Sequence, residues 1–235
     1  MKLFVRKLTV FGIVMAAAVG SAMSAQAQMT DDSEGWPGIA LGVDVGTTGL
    51  GGKGTVCIVP EYLNIRGGYS WASFTFNTKI EDIDYDLEAN LSVFPAMLDL
   101  HPFANHFRIS GGVFFNGSDG TLTAKSDKSF RIGDANFTPE QYGTLKGTLK
   151  LENSTCPYIG IGYGNAVYPD QAFSFVFDLG VMFTAYDVSM TSEGGTMSNN
   201  PILLANLAKE EEKVQKDADD FKFYPVLSFG VAYHF

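Results

Sequence analysis

Apolar residues recur at every second position through most of this chain, and in segment after segment they fall on odd numbers. Ile39, Leu41, Val43 and Val45 open the pattern, alternating with Ala40, Gly42, Asp44 and Gly46. It continues through Leu63, Ile65, Tyr69 and Trp71, then Leu87, Ala89, Leu91 and Val93, then Phe107, Ile109, Val113 and Phe115. Leu149 and Leu151 with Ile159, Ile161 and Tyr163 form a further set, followed by Phe173 to Phe183 and Phe223 to Phe235; a weaker segment surrounds Val56 and Ile58. Period two marks a strand with one apolar and one polar face. Several runs reach the roughly 9–11 residues that cross a bilayer at a tilt, beyond the 5–6 usual in soluble sheets. The expected fold is all-β: an eight-stranded antiparallel up-and-down transmembrane barrel, with odd positions facing lipid and even positions lining a narrow lumen.

Charge and the first residues set the compartment. With 16 Lys+Arg against 26 Asp+Glu the chain carries a net charge of −10, so it lacks the basic face a nucleic-acid binder needs. Met1–Ala27 reads as a secretory signal peptide: Lys2, Arg6 and Lys7 precede an apolar run from Leu8 to Val19, and Ala25-Gln26-Ala27 is a small-x-small cleavage site. The mature barrel is then Gln28–Phe235, and no later run approaches the length of a membrane helix. The expected location is the bacterial outer membrane.

Short connections near Pro60 to Tyr62, Leu100 to His106 and Asn165 to Ala172 are expected on the periplasmic side. The outer connections are a tight Gly-rich one near Gly49 to Gly54, a medium acidic one near Asn77 to Asp86, and two long ones near Asn116 to Gly147 and Thr191 to Asp220. Within the last, Asn200-Pro201 followed by Ile202 to Asp219 predicts a helix, with Asn as cap, Pro in the first turn, and Leu203, Leu207 and Val214 on one face. The chain ends on Ser228-Phe229-Gly230-Val231-Ala232-Tyr233-His234-Phe235, a polar-x-Gly-x-x-aromatic-x-aromatic pattern. It resembles the signal by which the barrel-assembly machinery recognises outer-membrane barrels, carried by Ser228, Gly230, Tyr233 and Phe235.

The even positions carry the candidate site. Asp44, Arg66, Arg108 and Asp178 are expected to form a lower mixed-charge layer in the lumen, and Glu88, Lys150 and Glu152 a second layer near the outer mouth. Two readings stay open. Opposite charges in so narrow a bore would pair as a plug; alternatively they form a polar ladder that passes small zwitterions or cations. Glu81, Asp82, Asp84 and Asp86 in the acidic outer loop would concentrate cations at the mouth, or hold lipopolysaccharide through divalent ions. No enzyme is expected, because His101, His106 and His234 lie at periplasmic ends; they form no metal site, and no cofactor is implied. Cys57 and Cys156 are expected as free inward thiols on strands across the barrel from each other.

Three stretches carry a resemblance: Asp44-Val45-Gly46-Thr47-Thr48-Gly49-Leu50-Gly51-Gly52, Cys156-Pro157-Tyr158-Ile159-Gly160-Ile161-Gly162-Tyr163, and Asp219-Asp220-Phe221-Lys222-Phe223-Tyr224-Pro225-Val226. They are similar to landmarks of the small outer-membrane barrels typified by the carbapenem-associated, ornithine-uptake protein of Gram-negative bacteria. The resemblance implies an eight-stranded barrel and passive entry of basic amino acids. Read together with the pattern, it describes a monomer surrounded by outer-membrane lipid and lipopolysaccharide, acting as a low-conductance channel. The rival is a non-conducting barrel whose acidic outer loops bind envelope or host components.

Overall fold

Alternation dictates pairing here, because each strand can satisfy its backbone only sideways and must present one face to lipid. The structure, a computed structural model, describes residues 38–80, 83–168 and 171–235. The expected signal peptide, with Ala25 and Ala27, and the loop residues Glu81 and Asp82 lie outside the described residues. The strands are β1 (Ile39–Gly46), β2 (Gly49–Val59), β3 (Leu63–Ile80), β4 (Ile83–Leu100), β5 (Phe107–Asn116), β6 (Asp119–Ser126), β7 (Phe130–Ile132), β8 (Ala135–Phe137), β9 (Gly143–Leu151), β10 (Thr155–Tyr163), β11 (Phe173–Phe183), β12 (Tyr186–Gly194) and β13 (Phe223–His234). The helices are α1 (Pro139–Tyr142) and α2 (Pro201–Asp219).

Eight of these close a ring in the order β1-β2-β3-β4-β5-β10-β11-β13, every pair antiparallel, with β13 returning to β1 through Asp44↔Gly230 and its neighbours. Aliphatic side chains such as Leu41, Val43, Ile65, Leu98, Ile109, Ile161 and Leu179 stand exposed around its outside. Aromatic residues flank them at both ends. Phe103, Tyr163, Phe173, Tyr233 and Phe235 lie toward the short turns, and Trp71, Phe94, Phe115, Phe183 and Phe223 toward the long connections. An apolar band between two aromatic girdles is the surface that a bilayer solvates.

The ring does not stop at the membrane boundary. β3 and β4 are each 18 residues long, about 60 Å at roughly 3.3 Å per residue, far beyond an apolar band of about 25 Å. Where β5 ends, β6 takes over beside β4, the handover being fixed by Gly117 N–H donating to Ser92 O and Ser92 N–H to Ser118 Oγ. Likewise β9 leads into β10, and β11 into β12. Five adjacent ring strands therefore continue outward as a second sheet, β3-β4-β6-β9-β12, a tongue above the barrel.

Hydrophobicity changes sides between barrel and tongue. In the barrel the outer face is apolar because lipid covers it. On the tongue the face that continues the lumen side is apolar, with Tyr85, Ala124, Leu145 and Met190 packing under Leu203 and Leu207 of α2 and against Ile132, Phe137 and Tyr142. The opposite face meets water and carries the charges.

Several sequence expectations are corrected here. Glu88, Lys150 and Glu152 do not line the lumen: Glu88 and Lys150 are exposed on the tongue, Lys150 lying between Asp119 and Asp187 in register, and Glu152 is exposed in the link to β10. Ala89 and Val93 point inward and are buried, and Leu149 and Leu151 belong to β9 of the tongue. Of the acidic stretch expected as a loop, Asp84 and Asp86 lie within β4, opposite Lys125 and Thr123 of β6. The Gly-rich run from Gly49 to Gly54 is likewise strand, the turn being only Thr47-Thr48.

Helix α2 spans Pro201–Asp219, with Asn200 Oδ1 accepting from Ile202 N–H at 2.9 Å. Leu203 is fully buried in the tongue's own core, which shares no residue with the core inside the barrel. Leu203→Ala should weaken that core by about 2–5 kcal/mol. Limited proteolysis should then cut between β11 and β13, while the barrel keeps its heat-modifiable gel migration.

Candidate functional site

Inward-facing positions sit at three heights in the barrel. Register places Asp44 opposite Gly51 and next to Lys53, Thr55 opposite Arg66, Asp99 opposite Ser110, and Asp178 opposite Ser228. These residues meet at mid-height. Arg66 grips Asp178 with both terminal nitrogens, Nη1 to Oδ2 and Nη2 to Oδ1, each 2.8 Å. Its other side serves Asp99, with Nη2 donating to Oδ1 at 3.1 Å and Nε in ion contact with Oδ2 at 2.8 Å.

Arg108 Nη2 donates to Asp178 Oδ1 at 2.7 Å and to Phe177 O at 3.1 Å, and its Nη1 donates to Gly164 O. Ser110 Oγ donates to Asp99 Oδ1 at 2.5 Å, and Ser228 Oγ to Asp178 Oδ2 at 3.2 Å. Lys53 Nζ binds Asp44 Oδ2 at 2.9 Å and stands 3.9 Å from Asp178. Three acids and three bases, all but Lys53 buried, thus form one neutral cluster.

The chain makes room for it with glycine. A Cβ on Gly162 would stand 2.7 Å from Arg108 Nε, and one on Gly160 or Gly180 would collide with the Tyr158 ring. That ring stacks on Phe114 at 4.6 Å. Together with Val93, Met97, Cys156, Met182 and Val226 it forms an apolar layer on the tongue side of the charges.

On the turn side lies a second apolar cluster, Ala40, Cys57, Ala166, Val167 and Ala232. Beside it is a buried polar lock. His101 Nδ1 is 2.9 Å from Asn105 O, Asn64 Nδ2 is 3.2 Å from His101 Nε2, and Asn64 Nδ2 donates to Asn165 Oδ1 at 3.0 Å. The carbonyl of Asn105 can only accept, so His101 carries its proton on Nδ1 and accepts at Nε2.

Of the expected lumen residues, the structure brings together Asp44, Arg66, Arg108 and Asp178; Glu88, Lys150 and Glu152 lie outside the lumen. Lys53 and Asp99 are the partners that sequence reasoning missed. Both sit at odd positions, and odd means inward on β2 and β4; the pairing 46↔49 across a two-residue turn was the signal that could have placed Lys53. Cys57 and Cys156 are free thiols in opposite apolar layers. At the chain end, Ser228 and Gly230 face inward beside Asp178 and Asp44, while Tyr233 and Phe235 stack edge to face outside.

The space left is small. A cavity of about 20 Å³ beside Asp44, Lys53, Arg66 and His101 has room for about one or two waters, and a second of about 10 Å³ lies between Tyr158 and Ser228.

Two solved structures share this architecture. CarO2 of Acinetobacter baumannii superposes with a TM-score of 0.59 at 22% identity, over 85% of this chain and 99% of that one. CarO of Acinetobacter baumannii gives 0.56 at 22%, over 85% and 98%. No protein-family model matches the chain, and no curated protein matches its sequence. The fold is that of an outer-membrane β-barrel.

Asp178 contacts both arginines and Lys53, so it holds the cluster together. Asp178→Asn leaves two buried guanidiniums short of charge and should cost about 3–5 kcal/mol, read as a lower urea midpoint of the barrel in micelles. His101 gives a pH dependence. Burial, with Arg108 nearby, pushes its imidazole below the ordinary value, against the opposing hydrogen bond to Asn105. Its neutral form is the one the fold selects, so its contribution is complete above the unfolded value of about 6.5 and is lost as pH falls below it. The melting temperature should drop between pH 7.5 and 5.5, and less so in His101→Asn.

Proposed function

We propose that this chain is a sealed outer-membrane barrel that anchors a folded tongue outside the membrane. The observation that carries the reading is the order of layers in the lumen: a neutral cluster of interlocked ion pairs, closed by apolar residues above and below. A small amino acid needs several times the volume of the 20 Å³ cavity, so transit requires the Arg66–Asp178–Arg108 clamp to open and the Phe114–Tyr158 stack to part at once. Neutrality argues the same way. Each acid already holds a base, so the site offers no surplus charge to an entering ammonium or carboxylate.

The tongue is the part that meets components outside the membrane. Among the described residues its polar face presents mixed charges, including Lys146 paired with Glu193 at 2.6 Å and Lys150 in register between Asp119 and Asp187. In this reading the partners are lipid and lipopolysaccharide around the girdles. During insertion the barrel-assembly machinery would meet Ser228, Gly230, Tyr233 and Phe235 on the closing strand.

The finer alternative, passive uptake of small basic amino-acid-like solutes, makes the opposite demand on one experiment. Mature protein is refolded into liposomes, folding is confirmed by heat-modifiable migration, and entry of labelled ornithine and arginine is compared with that of an uncharged amino acid. The sealed barrel gives no entry above empty liposomes. Saturable uptake selective for the basic solutes overturns it, and makes the ion cluster a gate in place of a plug.

A further inference from the structure

A closed barrel has no strand edges, but the tongue has two. One belongs to β3 above Trp71, where pairing with β2 ends; among the described residues the side of Ala72–Asn77 facing away from β4 has no strand beside it. The other belongs to β12. Below it β11 pairs with β13, yet above the membrane boundary the chain does not extend β13 alongside β12. It places α2 there instead.

The helix engages that edge as a strand would. Gln215 Oε1 accepts from Val188 N–H at 2.9 Å, while its Nε2 donates to Tyr186 O at 2.7 Å. Donation to one carbonyl and acceptance from the N–H two residues on is what a single residue of a parallel neighbour strand does. Glu211 Oε2 accepts from the next edge donor, Met190 N–H, at 2.8 Å. The spacing fits, because four helical residues rise about 6 Å and two strand residues about 6.6 Å.

We propose that α2 is an edge guard: Gln215 and Glu211 occupy the hydrogen-bonding sites on β12 that the open β3 edge of a second copy would otherwise take. Membrane insertion argues for that partner. Every copy stands the same way up, and β3 and β12 both run outward, so the β12 edge of one copy meets the β3 edge of the next as parallel strands. This contact joins unlike edges, so unguarded it would propagate from copy to copy and not close into a dimer. Guarding one of the two edges suffices to keep the chain a monomer. The inference concerns the tongue alone and stands whether or not the lumen conducts.

Cysteines placed on the two edges test it. Thr75→Cys on β3 and Ser189→Cys on β12 point to the same polar face, but within one copy they are separated by four strand spacings, about 19 Å, too far for a disulfide. The native Cys57 and Cys156 are buried inside the barrel. With the guard intact, oxidation in proteoliposomes should leave a monomer on non-reducing gels. Adding Glu211→Ala and Gln215→Ala should give a ladder of linked copies. In micelles dilute enough to keep copies apart, and without the two added cysteines, the same substitutions should speed hydrogen exchange at Val188 and Met190 about tenfold, as expected from losing one net hydrogen bond each. A ladder with the guard present, or monomer after its removal, overturns the proposal. Met190→Pro, added to the unguarded protein, removes an edge donor and should shorten the ladder; an unchanged ladder would show that the copies meet elsewhere.

Discussion

The double grip of Arg66 on Asp178 is the contact around which the interior is arranged. Eight strands leave a bore that side chains must fill, and a charge in such a bore finds too little water to solvate it. It needs an opposite charge fixed at hydrogen-bonding distance. The cluster meets this by drawing its members from six ring strands. Lys53 of β2 holds Asp44 on the adjoining β1, while Arg66 of β3 and Arg108 of β5 both reach Asp178 of β11, so these last two ion pairs tie strands that no backbone ladder joins. Glycine at 160, 162 and 180 follows from the same demand, since Arg108 and the Tyr158 ring lie flat against strands that could not otherwise come so close.

The second constraint is the change of solvent at the membrane boundary. Below it the apolar face of each strand looks out to lipid; above it the same face would look out to water. A continuous sheet must therefore move its apolar residues to the other side. On β3 they shift from Ile65, Tyr69 and Trp71 to Phe74 and Phe76, and on β4 from Leu98 and Phe94 to Ala89 and Leu87. Once the inner face of the tongue is apolar something must cover it, and over Tyr85, Ala124, Leu145 and Met190 α2 with the β7–β8 hairpin does so, while Phe74 and Phe76 on β3 stay exposed.

These two constraints explain what the sequence disclosed and what it hid. Eight segments, their antiparallel ring, and a helix capped by Asn200 were all legible, because each depends on local periodicity or on a cap. Asp44, Arg66, Arg108 and Asp178 were legible as inward charges because they sit low in strands whose apolar phase points to lipid. Glu88 and Lys150 follow the same alternation, but beyond the boundary, where the phase has the opposite meaning. Nothing in their immediate neighbours marks that boundary; it shows only in the length of β3 and β4. Lys53 and Asp99 were hidden for another reason. Their orientation depends on hairpin register, and a shift of one residue in the reading of Gly49 to Gly54 turns Lys53 from a loop cation into the partner of Asp44.

The tongue also shows how a barrel protein reacquires the problem that closure removes. Strand edges invite pairing, and a sheet that leaves the ring regains two of them. Continuing β13 beside β12 would have covered one edge but prolonged the ring, leaving no element to cover the apolar inner face. A helix does both. Leu203 and Leu207 turn into the core of the tongue, while Glu211 and Gln215, one and two turns further on, reach the edge donors of β12. The helical period separates these two duties along a single element, which a strand, with its faces alternating every residue, could not have done.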